Sequence, residues 1–218
     1  MSSQTPTAAE SGLSGRRRQA AQNDTAILDA ARAVFLDDPK APIAAVAQHA
    51  GVGISALYRR YPGKEDLLRT LCHDGLRRYL AEAEAAAADS DAWTAFTGFL
   101  QRIVDADVHS LTVHLAGTFV PTAQMQQDAE RASKLGTALF ERARAAGRLR
   151  PDAVGQDVEL VLEACAAIRV PDPGRTRELR RRVLATHLAG LAADGDSRPP
   201  LPGPPPEAAE LNWRWEQR

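Results

Sequence analysis

The 218-residue chain predicts an all-α fold of about nine helices, with a three-helix N-terminal unit followed by a larger helical body. Two observations carry this reading. From about residue 24 to 193, apolar side chains recur at steps of three and four, the spacing that puts them on one helical face, and no segment shows the period-two alternation of a strand. Most breaks between these periodic stretches fall at glycine or proline, the residues that end helices.

Residues 1–15 are mostly Ser, Thr, Ala, Gln and Gly without periodicity and read as a disordered tail, closed by Arg16, Arg17 and Arg18. Residues 1–19 are therefore expected to be a disordered basic arm. Over 24–36, Ile27, Leu28, Ala31, Val34 and Phe35 form a stripe, with Asp24 as N-cap and Pro39 just past the end. A second helix carries Ile43, Val46, Ala47 and Ala50 inward, leaves Gln48 and His49 outside, and stops at Gly51. A third, roughly 54 to 60, points Ile54, Leu57 and Tyr61 inward. It leaves Ser55, Ala56, Tyr58, Arg59 and Arg60 available to a partner. Two short helices about a glycine turn have the layout of a helix-turn-helix DNA reader, and small, hydroxyl, aromatic and guanidinium groups suit a major groove.

From Lys64 to about Ala88 one long helix is expected, with Leu67, Leu68, Leu71, Leu76, Tyr79 and Leu80 apolar. Asp91 opens the next, which runs to about Val108, and a shorter apolar segment covers 110 to 120. Pro121 and Thr122 break the chain before a helix to Ala146, which Gly147 and Pro151 stop. Two more follow, about 155 to 169 and 174 to 193. The boundaries adopted are 20–66 for the DNA-binding unit, 67–193 for an effector-binding and dimerisation domain, and 194–218 for a proline-rich tail. Whether that tail, with Trp213 and Trp215, docks on the body is left open by the sequence.

The region near 20 to 70 resembles the TetR family of transcriptional regulators. The resemblance rests on the alanine-rich first helix ending in Val34 and Phe35, the AxxAGVxxxxLYRRY pattern from Ala47 to Tyr61, and the KEDLL entry at Lys64 to Leu68. The Ala146–Pro151 stretch resembles the family's AGxLRPD turn. The chain departs from the family in lacking a Ser or Thr cap before Ile43, where Pro42 is expected to set the first turn, and in placing Gly53 where serine is common. The resemblance implies DNA contacts at Tyr58 and Lys64, both to phosphate, with Arg59 and Arg60 reaching phosphate or guanine, and Ser55 and Ala56 reading bases. Arg16, Arg17, Arg18, Ile43 and Gly53 complete the candidate set. It further implies a homodimer that binds a palindromic operator as a repressor and is released by a small-molecule effector, without a cofactor.

For the effector pocket the candidates are Trp93, Phe96, Phe99, Ile103, Leu111, His114, Phe119, Met125, Phe140 and Glu163, although aromatic and aliphatic residues at helical spacing are first of all core. For the dimer interface the candidates are Val158, Val161, Leu162, Leu179, Val183, His187 and Leu191, on the last two helices.

Composition narrows the alternatives. The net formal charge of -1 is uninformative, but eight Lys or Arg stand against four acids between Arg16 and Lys64, a local excess that suits a phosphate backbone. No apolar run reaches the roughly 18 residues of a membrane span, so a cytoplasmic protein is expected. Cys72 and Cys165 are far apart and expected to be reduced. Asp105, Asp107 and His109 alternate at two-residue steps, which scatters them around a helix, so no metal site is expected. Without strands there is neither a strained nucleophile turn nor a phosphate loop, and no enzyme is read. The competing class is a helical small-molecule carrier whose helix-turn-helix segment is non-functional.

Overall fold

The computed structural model describes residues 8–115, 117–193, 199–207 and 210, with side chains from Asn23 onward except at 112 and 113. It holds nine α-helices among these residues: α1 (Ala8–Asp37), α2 (Ile43–Ala50), α3 (Ile54–Arg60), α4 (Lys64–Ala87), α5 (Ala92–Asp105), α6 (Val108–Leu115), α7 (Ala123–Ala145), α8 (Gly155–Ala167) and α9 (Pro173–Leu191). The all-helical architecture expected from periodicity is the one observed. No helix among the described residues is long and apolar enough to cross a membrane. The chain divides into two compact units, Met1–Leu71 and Cys72–Arg218.

In the first unit, Ile27, Ala31 and Phe35 of α1 meet Val46 and Ala47 of α2, Leu57 of α3 and Leu67, Leu68 and Leu71 of α4 in one buried core. α2 and α3, of eight and seven residues, are too short to be stable alone, so this shared apolar face is what holds them. α1 is longer than expected. It is helical from Ala8, so residues 8–15, read as disordered, belong to the helix, and Asp24 is an interior residue rather than an N-cap. The physical reason is that no proline follows Pro6 before Pro39, so nothing forces a break within that span. α2 is capped by Pro42, which precedes the helix instead of occupying its first turn, and its carbonyl accepts from Ala45 N at 3.0 Å.

The turn between α2 and α3 depends on Gly51. Its φ of 66° is left-handed, and Val52 N returns to Ala47 O at 3.0 Å, closing a Schellman-type cap. A Cβ at Gly51 would meet nothing within 4 Å, so backbone conformation and not space demands glycine there.

The second unit is a helical body. Ala83, Phe96, Phe99, Leu100, Ile103, Leu139, Phe140, Leu162, Leu184 and Leu188 form its core, drawn from α4, α5, α7, α8 and α9. Asp91 caps α5 by accepting from Thr94 N at 2.7 Å, and Thr122 caps α7 by accepting from Met125 N at 3.2 Å. α5 ends at Asp105, short of the expected Val108, because Asp107 adopts φ 52° and separates α5 from α6. Asp107 bonds there to Ser110 and to Arg180, a buried arginine that also donates to Ile168 O at 3.0 Å. Arg180 thereby ties α9 to the α5–α6 junction and to the C-terminal end of α8. The proline-rich tail touches the body: Arg150 donates to Pro199 O at 2.8 Å, and Leu201 N donates to Asp152 at 2.7 Å. Trp213 and Trp215 lie outside the described residues.

Candidate nucleic-acid interface and effector cavity

α3 has seven residues, enough for two turns, and only one face of it is needed for the core. Leu57 is fully buried and Tyr61, just past the helix, is 6% exposed, whereas Tyr58 is 48% exposed. The phenol expected to pack and the phenol expected to remain available are therefore so arranged. Ser55, Arg59 and Arg60 share the exposed side, and Ala56 is half-buried. Ile54, expected to point inward, is 40% exposed. A three-residue step back from Leu57 falls about 60° short of a full helical turn, and this places Ile54 beside Ser55 and Tyr58 instead of in the core.

Two candidate DNA contacts offer no side chain to a groove. Ile43 is 7% exposed and belongs to the core, so its side chain is not on offer to a groove. Gly53 is exposed as the N-cap of α3 but has no side chain, so only its backbone could touch a phosphate. Arg16, Arg17 and Arg18 fall on helical backbone of α1, and their side chains lie outside those described. The backbone expected to be a disordered arm there is part of a helix.

The basic groups are less free than the sequence suggests. Arg60 pairs with Asp24 of α1 at 2.5 Å while its side chain stays 60% exposed, a surface ion pair that contributes little to stability and could be exchanged for a phosphate. Lys64 Nζ donates to Pro39 O at 2.7 Å and Ala41 O at 2.8 Å, and stands 5.0 Å from the centre of the Phe35 ring. Two of its three N–H groups are thus committed to the α1–α2 loop. Burial lowers its pKa, an effect that Asp38 partly opposes.

In the second unit, a cavity of about 450 Å³ opens among α4, α5, α7 and α8. Its walls include Tyr79 from α4, Phe96, Phe99 and Leu100 from α5, Gly136 and Phe140 from α7, and Val158, Glu159 and Leu162 from α8. Tyr79 meets Phe99 edge-on with centroids 5.1 Å apart, and Phe96 meets Phe140 at 6.1 Å. Burial, reinforced by Glu159, pushes the Tyr79 phenol up to about 12, so the hydroxyl is neutral near pH 7. Burial and the adjacent Glu163 raise the Glu159 carboxyl above its usual range.

Of the ten pocket candidates, the cavity takes Phe96, Phe99 and Phe140. Ile103, Leu111, Phe119 and Met125 are buried core. Trp93 packs on Phe96 at 5.9 Å with the Arg148 guanidinium 5.7 Å from its ring. His114 Nδ1 donates to Ser110 O at 2.8 Å within its own helix, and half-buried Glu163 is not in the lining. Among the lining residues that the sequence reading misses are Tyr79, Glu130, Gly136 and Glu159. Tyr79 was read as one more core position of the long helix, and Gly136 offers no periodic signal.

The dimer candidates divide. Val158 and Leu162 line the cavity instead of facing outward. Val161 and Leu191 are each 6% exposed within the single chain, and Leu179 and Val183 are half-buried. His187 is exposed, as are Leu160 at 43%, Ala164, Ala185, Thr186, Ala189 and Gly190, so small residues surround one leucine on α8 and the C-terminal half of α9, while the N-terminal half of α9 exposes Arg175, Arg177, Glu178, Arg181 and Arg182. A second hollow of about 490 Å³ on this side is lined by Leu160, Val161, His187, Leu191 and, from the tail, Leu201.

Among the described residues no group of three His, Cys, Asp or Glu is placed to hold a metal ion. Asp105 and Asp107 are instead bonded to Arg181 and Arg180.

Comparison with known proteins agrees with both units. The model of bacterial regulatory proteins of the tetR family matches residues 27–71, and that of the SbtR-like transcriptional regulator C-terminal domain matches 91–193. The HTH-type transcriptional repressor LfrR of Mycolicibacterium smegmatis is 36% identical over 102 residues, 45% of this chain and 48% of that protein, so the chain spans about half the length of that relative. Two solved structures share the fold. The TetR regulator SCO0520 of Streptomyces coelicolor has TM-score 0.55 and 25% identity, covering 78% of this chain and 99% of that one. LfrR from Mycobacterium smegmatis in complex with proflavine has TM-score 0.60 and 23% identity, covering 83% and 99%. A glycine-turned reader with an exposed α3, a separate helical body, and family matches spanning both units together show that the chain belongs to the TetR family of bacterial transcriptional regulators.

Proposed function

We propose that this chain is a homodimeric, ligand-responsive repressor that binds a palindromic operator through α3 and leaves it when a small apolar or amphipathic molecule enters the body. The exposed row of Ser55, Tyr58 and Arg59 on a helix fixed by buried Leu57 is the observation that carries the DNA-binding reading. Ser55 and Ala56 read bases, while Tyr58, Arg59 and Arg60 hold phosphates; Arg60 does so by leaving Asp24.

One such helix buries too little surface for selective binding, so two must act together. The small-residue surface of α8 and α9 around Leu160 permits close approach of a second copy. The relevant dimer residues on this reading are Leu160, Ala164, His187 and Gly190, in place of the buried Val161, Leu162 and Leu191.

The effector reading is supported by the cavity and by the relative LfrR, whose structure holds proflavine. α4 starts in the reading unit at Lys64 and supplies Tyr79 to the cavity wall. It is also pinned to α7 by His73 Nε2 and Asp128 at 2.7 Å. A molecule that fills the cavity favours one position of α4 over another, and that differential affinity is what shifts the population away from the DNA-bound state.

Sequencing random duplex fragments retained by the purified protein tests the reading. The expected result is an enriched palindrome whose half-site centres are about 10 base pairs apart or a multiple of that. No enrichment from a stable monomer would refute it and favour a carrier protein.

A further inference from the structure

The aromatic cavity contains an uncompensated negative charge. Glu159 of α8 and Glu130 of α7 both line it, and no lysine or arginine is in its lining among the described residues. Neither carboxylate has an ion pair among the described residues, although Glu84 and Glu82 close by on α4 are matched by Arg131 and Arg102. The rings of Tyr79, Phe96, Phe99 and Phe140 border it, the three phenylalanines only 2–3% exposed, and the Tyr79 phenol adds no charge of its own near neutral pH.

We propose that the cavity selects a cationic aromatic molecule, whose flat ring lies among Phe96, Phe99, Phe140 and Tyr79 while its positive nitrogen meets Glu159 and Glu130. The inference rests on the cavity being the effector site and adds the charge of what it takes. An anion would face two carboxylates of its own sign. A neutral arene would gain the same burial but would leave both carboxylates unmatched. A cation gains burial, ring contact and charge pairing together. The raised Glu159 pKa fits this reading, since a carboxylate held near Glu163 without a positive neighbour binds a proton more readily than usual.

Three tricyclic probes of one shape separate the possibilities: 9-aminoacridine, cationic near neutral pH; acridine, neutral; and acridine-9-carboxylate, anionic. Their dissociation constants for the full-length protein are measured by calorimetry at low and moderate salt. The expected order is cation, then neutral, then anion, with the cation at least about tenfold tighter than the neutral probe. In the Glu159→Gln, Glu130→Gln double variant that ratio should fall towards one. Equal or tighter binding of acridine or of the carboxylate by the wild-type protein overturns the charge selection and leaves the cavity as an effector site. Failure of all three to bind overturns both. The wild-type comparison decides even if the double variant does not fold.

Discussion

Lys64 Nζ donates to the backbone carbonyl of Pro39 across 2.7 Å, a bond that ties the start of α4 to the loop between α1 and α2. With the second bond to Ala41 O and the nearby Phe35 ring, it makes the lysine a staple of the reading unit. Replacement by alanine leaves two half-buried carbonyls without this donor and removes the cation–π contact. Lys64→Ala should therefore destabilise the N-terminal unit by about 1–3 kcal/mol, seen as a lower urea midpoint. If stability were unchanged while DNA affinity and its salt slope fell, the lysine would be a phosphate anchor instead.

Tyr58 and Ser55 lie on the same exposed side of α3 but should fail differently. Tyr58→Phe removes a hydroxyl that would reach a phosphate, so binding to every duplex should weaken about fivefold with little change in preference. Ser55→Ala should instead change which sequence is enriched, because a base-edge contact carries discrimination. Parallel selections with the two variants check both, and a uniform loss from Ser55→Ala would move that residue to the backbone class.

The reading unit was legible because short-range rules decide it. Gly51 must be left-handed, Leu57 must be buried, and each demand is met by spacing within a few residues. The start of α1 was not legible, since a polar alanine-rich segment has no apolar stripe to mark helix from coil. In the body, periodicity found the helices but could not tell which apolar residue meets a neighbour and which meets empty space. Phe99 and Ile103 lie one turn apart on α5, and only the first lines the cavity. Likewise Val161 and Leu160 are adjacent, and their burial differs because α8 has already used one side for its own chain.

Gly136 and Tyr79 make a contact that a methyl group would disrupt. A Cβ at position 136 would stand 2.6 Å from the Tyr79 hydroxyl, so the phenol must move. Gly136→Ala should lower body stability by about 1–3 kcal/mol, the usual range for overpacking, and reduce binding of 9-aminoacridine by displacing a cavity wall. Tyr79→Phe removes the clashing oxygen, so the double variant should recover much of both losses. A double-mutant cycle by thermal unfolding measures this coupling, and strict additivity would show that the two residues do not meet.

Asp152 holds the tail through the Leu201 amide, and its titration gives the sign of the pH dependence. The hydrogen bond from Arg150, followed by that from Leu201 N, pulls its pKa from 3.8 to about 2. A carboxylate whose folded pKa is depressed contributes stability above its unfolded value. That contribution begins to fade as the pH drops below about 4 and is gone once it passes below the folded pKa. Tail docking should hence be unaffected between pH 5 and 8 and weaken only in strong acid. The Leu201 amide resonance should titrate with a midpoint near 2, following the Asp152 carboxyl, and not near the unperturbed 3.8. At neutral pH, Asp152→Ala should free that amide and raise its hydrogen-exchange rate about tenfold. An exchange rate equal to that of the wild-type protein would mean that Asp152 does not hold Leu201 in solution.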